Sequence, residues 1–519
     1  MSSFADRHAG VVTGELTMFD RMIFKGHLTG LYPNGAFAAF LSRQGVWLRD
    51  FGGYVSAMTE QLREHAKRLA EEAGRPYRYL AETHTKARGQ SKEELARQMA
   101  ADDGIDEGLI CVLAAVEPCL SFDVVGNRAT QRLEVRRRNR KCVHLYFYFV
   151  DAEFGFCHVR LQTWFPFEVQ VYVNGREWLA RQLDRRGVGY RRHDNALVAV
   201  DDLAEASGLV ERFAHRRWPR LLDAFARRVN PHLGLVRRVG FGGYYWVLDQ
   251  AEVATDVMFR SRGDLEAVWP DLVAHAAGAF GATDVLRFLG RKLHGNLAQA
   301  VETHARRRPE GWRVKHRLGR NSIKVYDKAS VLRVETTINN PSEFRVLRRV
   351  EADGRRQLRW CEMAKGVANA WRYFQVGTQA NQRYLTALAA VEHKGEAVGA
   401  LDDLCRSRTR DRRRHGPFRP FTAPDLALFR AVLAGEHAIA GFRNRDLARH
   451  LYPTPAGSSE ESRRRCQQVS RLIAKLRGHG LVAKVPHQRR YRPTRHGLRV
   501  MTSVLHIHDH AFPAHYLVA

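Results

Sequence analysis

Residues 143–150 read VHLYFYFV, 151–155 DAEFG, 156–167 FCHVRLQTWFPF and 168–175 EVQVYVNG. Aromatic and β-branched residues dominate, as a pleated, half-buried surface prefers. The stretch predicts three successive strands with a tight first turn. Next, REWLARQLDRRG (176–187) predicts a helix ended by Gly187. NALVAVDD (195–202) predicts a fourth strand, leading into a helical segment rich in Leu, Phe and Trp over 203–229. Three strands, helix, strand, helix is the order of an α+β fold with an antiparallel or mixed sheet core, assigned here to 106–400.

Upstream, 1–105 reads as a helical N-terminal region. VSAMTEQLREHAKRLAEE (55–72) puts Met58, Leu62 and Leu69 on one side, and Ser91 with Glu94 predicts a capping box. The longest apolar run, LICVLAAVEPCL (109–120), is short for a membrane span and is interrupted by Glu117. The first twenty residues are polar and carry two Asp, unlike a secretory signal. Seven cysteines form no CxxC pair, which suits reduced thiols. A cytoplasmic protein without a membrane partner is expected. GxxxxGK[ST], GxGxxG and HExxH are all missing from the sequence, which leaves NTP hydrolysis, dinucleotide binding and common zinc proteolysis unsupported.

Charge is the abnormal quantity. Among 519 residues, 84 Lys and Arg face 55 Asp and Glu, a net charge of +29. Such a field attracts polyanions, so DNA is the expected partner, with RNA as an open alternative. The sequence leaves the oligomeric state unassigned. RLEVRRRNRK (132–141) would suit a nucleic-acid backbone groove or a charge-protected strand edge. RSRTRDRRRHGPFRP (406–420) reads as the body of a basic linker over 401–422.

Residues 423–519 predict helix, helix, helix, hairpin, helix. PDLALFRAVLAG, RNRDLARHLYP and SSEESRRRCQQVSRLIAKLRGHG are the three helices, and LVAKVPHQRRYRPT is the hairpin. Over about 425–505 this resembles a winged helix-turn-helix domain. On the third helix, Cys466, Val469, Ile473 and Leu476 recur at core spacing, while Arg464, Gln468, Arg471 and Lys475 fall on the opposite face. A helix so placed can enter a major groove, where Arg reads guanine and Gln reads adenine. Arg489 and Arg490 at the hairpin tip would then contact phosphate or the minor groove.

NSIKVYDK (321–328) and VLRVETTI (331–338) flank Ala329 and Ser330 and predict a β-hairpin. With those two residues in the turn, Lys324 faces Glu335 and Tyr326 faces Arg333. Ile323, Val325, Leu332 and Val334 take the other, buried face. Taken with QVYVNGREW and RRHDNALVAVDD, this hairpin is similar to single-tyrosine rolling-circle replication initiators of plasmids and phages. The resemblance implies a tyrosine that attacks a DNA phosphodiester and keeps the 5′ phosphate. Carried over, Tyr326 is the nucleophile, Lys328 and Arg333 stabilise the phosphate, and Asp201, Asp202 and Glu335 hold a divalent metal, magnesium or manganese. The whole chain also resembles a bacterial family of uncharacterised proteins.

These features predict a DNA-binding protein of a mobile or replicating element, with a metal-dependent DNA endonuclease or strand transferase as the implied activity. Two alternatives stay open. One is a winged-helix transcriptional regulator without catalysis. The other is an RNase H-like transposase using Asp151, Asp202 and Glu335. LHIHDH (505–510) alternates His506, His508 and His510 and reads as a surface cluster or a metal-binding strand.

Overall fold

The computed structural model describes residues 4–33, 35–80, 90–291, 301–308, 311–352, 355–389, 403–410, 413–486 and 488–511. It is an α+β protein, with 43% helix and 34% strand among the described residues. The chain forms two compact units. The first comprises Met1–Glu15, Asp256–Glu335 and Gln379–Ala519, and the second Leu16–Thr255 and Thr336–Thr378.

In chain order the strands are β1 (Val12–His27), β2 (Tyr77–Tyr79), β3 (Gly108–Asn127), β4 (Arg132–Asp151), β5 (Gly155–Gln162), β6 (Val169–Asn174), β7 (Tyr190–His193), β8 (Ala196–Val200) and β9 (Tyr245–Phe259). They continue with β10 (Val301–Arg308), β11 (Gly311–Leu318), β12 (Asn321–Lys328), β13 (Val331–Ile338), β14 (Arg345–Ala352), β15 (Arg355–Glu362), β16 (Arg408–Arg410), β17 (Arg413–His415), β18 (Val482–Lys484) and β19 (Tyr491–Pro493).

In the second unit the strands run β9-β1-β6-β5-β4-β3-β2. The predicted trio is β4, β5 and β6, joined antiparallel, with Phe156 opposite Val150 and Val171 opposite Val159. β2 pairs parallel with β3, so the sheet is mixed. The helix Gly175–Arg186 follows β6, capped by the Asn174 side chain and stopped by Gly187 at φ 65°. The capping box at Ser91 and Glu94 opens the helix Lys92–Asp102.

Three expectations are corrected. The N-terminal region is not all helix: β1 is a sixteen-residue strand that pairs with β6. Its buried face of Leu16, Met18, Met22 and Phe24 is interrupted by Asp20, and the other face mixes Phe19 and Ile23 with Arg21, so the sequence shows no clean alternation. The segment 195–202 does not extend the sheet, because β8 pairs only with β7. And the hairpin predicted over 321–338 does not stand alone, because β10 and β11 extend it on one side. β10 and β11 carry so many cations that their sequences resemble loops.

The first unit orders its strands β10-β11-β12-β13. One face is apolar: Val314, Ile323, Val325, Leu332 and Val334 are fully buried. Burying side chains of this kind is worth roughly 1.5–3 kcal/mol each. Tyr384 reaches His316 there, hydroxyl to Nε2 at 3.0 Å, and packs edge-on against Phe280 and Phe288. The β12–β13 turn places Ala329 at φ 50°, and Arg262 Nη1 donates to its carbonyl at 2.7 Å.

The C-terminal part of this unit has helices Ala423–Leu433, Gly435–Ala440, Asn444–Leu451 and Ser459–Gly478, then the β18–β19 hairpin, then the helix Arg495–His506. Val469, Ile473 and Leu476 enter a core with Phe429, Phe442, Leu447 and Val500. The stretch expected as a linker joins that core through Leu404 and Phe418. Its β16–β17 hairpin is held by Arg410 donating to the Arg477 carbonyl at 2.9 Å. Among the described residues, no helix is long and apolar enough to cross a membrane. Every cysteine is a free thiol.

Candidate nucleic-acid interface

Antiparallel pairing decides what shares a face in β10–β13. Arg306 pairs with Arg313, and Arg313 with Tyr326. His304 pairs with Lys315, and Lys315 with Lys324. Directly paired residues project to the same side of a sheet. The side opposite the apolar face therefore carries successive rows of cations, with Tyr326 among them.

At one end of this face lies a cavity of about 180 Å³ lined by Arg308, Gly311, Trp312, Arg313, Lys324, Tyr326, Asp327 and Lys328. Trp312 is 42% exposed at its rim. Gly311 is required there, since an added Cβ would sit 2.3 Å from Asp327 Oδ1. Burial, together with the neighbouring Arg308, pulls the Arg313 guanidinium below its ordinary pKa. Cations pressed together in this way leave a positive field that an anion would relieve.

The Tyr326 hydroxyl donates to Glu335 Oε2 at 2.9 Å. Lys324 Nζ lies 2.6 Å from the other carboxylate oxygen, Oε1. Glu335 is 1% exposed, whereas Tyr326 is half-buried and reaches the cavity. The predicted register thus holds for Lys324 and Glu335. Beside them on the same face, Arg333 is fully buried and grips Asp256 through two parallel bonds, Nε to Oδ1 at 2.6 Å and Nη2 to Oδ2 at 3.0 Å. Its Nη1 lies 3.5 Å from the Tyr326 hydroxyl. A phosphate cannot reach this fully buried guanidinium, so Arg333 braces Tyr326 from the neighbouring strand rather than lining the cavity. Lys328 does line it.

Asp256 and Asp327 went unnoticed in the sequence. Asp256 stands within the apolar strand run VATDVMF, and a buried acid at such a place is the available signal. Asp327 is 2% exposed and lies 2.7 Å from Arg262 Nη2.

The acids expected to bind metal have local structural roles or lie in different units. Asp202 is the N-cap of the helix Leu203–Ala214, accepting from the Glu205 amide at 2.9 Å. Asp201 is exposed beside it. Both belong to the second unit, whereas Tyr326 and Glu335 belong to the first. Asp151 ends β4, where Oδ1 accepts from the Glu153 and Phe154 amides in a tight turn. Among the described residues, no cluster of three or more metal-type ligands includes Asp151, Asp201 or Asp202.

On the helix Ser459–Gly478, Arg464, Gln468 and Arg471 are exposed, as expected. Cys466 is exposed as well and does not join the core. Lys475 is drawn inward, its Nζ 3.9 Å from the Phe418 ring centroid and 3.9 Å from Asp425. Asn444 buttresses the helix through Ser470 Oγ at 2.7 Å. Arg489 is exposed at the hairpin, but Arg490 donates to the Gly441 carbonyl at 3.1 Å. In the 132–141 cluster, Arg140 covers the Trp164 ring at 3.7 Å and Arg137 covers Tyr32 at 4.7 Å. His508 contacts Asp509 at 2.8 Å, and the side chains of His506 and His510 lie outside the described residues.

Comparison with protein-family models, with curated proteins and with solved structures gave no match for this chain.

Proposed function

We propose that this chain is a DNA-binding protein of a mobile or replicating element that cuts a strand through Tyr326. The observation that carries the reading is the Tyr326 hydroxyl, bonded at 2.9 Å to a buried carboxylate and opening into a cavity walled by Arg308, Arg313, Lys324 and Lys328. A nucleophile already hydrogen-bonded to its base is the arrangement that nucleophilic catalysis needs. Glu335 takes the phenolic proton as the Tyr326 oxygen bonds to phosphorus. The bond from phosphorus to the 3′ oxygen breaks, and that oxygen takes a proton from solvent. The 5′ phosphate stays on Tyr326. The cavity cations balance charge on the phosphoryl oxygens. Trp312 at the rim offers a face on which a base can stack.

The C-terminal helices support a second task for the same protein, sequence-specific duplex binding as a winged helix. The exposed Arg464, Gln468 and Arg471 favour it. The test is a labelled single strand incubated with full-length protein, with and without magnesium or manganese. Cleavage by wild type and none by Tyr326→Phe supports the proposal. Binding without cleavage under every condition leaves a regulator.

A further inference from the structure

Glu436 and His437 lie on the short helix Gly435–Ala440, and His450 lies near the end of the helix Asn444–Leu451. Their ligand atoms are all within 4.8 Å of one another. His450 Nε2 is 2.5 Å and His437 Nε2 is 3.4 Å from the same Glu436 oxygen, Oε1.

His437 gives the cluster its meaning. It is 2% exposed, and its Nδ1 donates to the Ala431 carbonyl at 2.7 Å. That bond fixes the tautomer and turns the lone pair of Nε2 toward Glu436. Nε2 is itself buried and makes no hydrogen bond. Leaving a buried polar nitrogen without a partner costs free energy, which a bound ion would recover. A backbone carbonyl holding one ring nitrogen while the other is presented is the usual support of a metal-ligating histidine.

We propose that Glu436, His437 and His450 form a binding site for a zinc-class divalent transition-metal ion. Two imidazoles and one carboxylate suit such an ion better than magnesium or calcium, which prefer oxygen ligands throughout. Glu436 and His450 are partly exposed, so the fourth position of a tetrahedral ion faces solvent. The ion would tie the two helices together. Phe442 lies between them, its backbone bonded to Tyr491 of β19 at 2.9 and 2.8 Å, so the tie reaches the hairpin. The site stands whether or not Tyr326 cuts DNA.

The experiment titrates zinc chloride into full-length protein carrying His506→Ala, His508→Ala and His510→Ala, which removes the C-terminal histidines. Calorimetry and thermal melting are the readouts, with cobalt replacing zinc for visible spectra. The expected result is one zinc equivalent, a higher melting temperature with zinc, and the intense visible bands of four-coordinate cobalt. Adding His450→Ala, at a partly exposed residue whose loss leaves the core intact, should weaken zinc at least tenfold and abolish both the shift and the bands. Glu436→Gln should weaken it less. Zinc binding of equal strength and stoichiometry with His450→Ala, or no zinc binding at all, would overturn the proposal.

Discussion

Arg333 and Asp256 form a two-bond ion pair in which neither residue is exposed, and Arg333 Nη1 lies 3.5 Å from the Tyr326 hydroxyl. Removing one partner of such a pair strands a buried charge, which costs about 3–5 kcal/mol. Asp256→Asn should therefore lower the urea midpoint by that equivalent. Replacing both residues with apolar ones of similar volume should recover much of the loss. A single-variant effect below about 1 kcal/mol would contradict the burial of this pair.

The cavity cations predict a salt signature. Each Lys or Arg that neutralises a phosphate adds about 0.7 to the slope of log affinity against log salt for a single strand. Arg313→Ala should weaken single-strand binding and lower that slope by about this amount. Arg320→Ala, on a residue that does not line the cavity, serves as the comparison. Identical slopes for both variants would remove the cavity as the contact surface.

The proposed sequence-specific duplex binding would rest on different residues. Arg471→Ala and Gln468→Ala should each reduce affinity for a selected duplex by about 1–3 kcal/mol while changing affinity for random duplex far less. Cys466→Ser, also exposed, should leave the fold unchanged. Equal losses on specific and random duplexes would indicate phosphate contact alone.

Acid should unfold the protein through buried histidines. Burial pushes His144 down to about 4, His158 to about 3 and His316 to about 4. In the unfolded chain each returns to about 6.5. Below pH 6.5 the unfolded state therefore binds protons that the folded state refuses, and stability falls as pH drops toward 4. The slope is about 1.4 kcal/mol per pH unit for each histidine. Urea midpoints should drop clearly between pH 7.5 and pH 5, and His316→Gln should remove one histidine's share. Equal midpoints at the two pH values would refute the burial.

The legible parts were those governed by local rules. A two-residue turn at Ala329 and Ser330 sets strand parity, so Lys324 opposite Glu335 follows from sequence alone. Asn174 and Gly187 mark their helix through capping chemistry. What escaped depends on distant chain. Asp256 meets Arg333 across 77 positions, and nothing local identifies either as a partner. His437 and His450 sit on separate helices at no motif spacing. Asp202 carries a double meaning, because an acid between a strand and a helix serves equally as ligand or N-cap, and here it caps. Cys466 fits the apolar spacing of its helix but lies beyond the end of the packed face.

The central claim is that Tyr326 attaches covalently to DNA. The most direct measurement is mass spectrometry of tryptic peptides after incubation with a single-stranded oligonucleotide. The account predicts that the peptide containing Tyr326 carries a nucleotide through a phosphotyrosyl bond, and that Tyr326→Phe yields no adduct. Strand cleavage with no modified tyrosine, or an adduct on another residue, would contradict it.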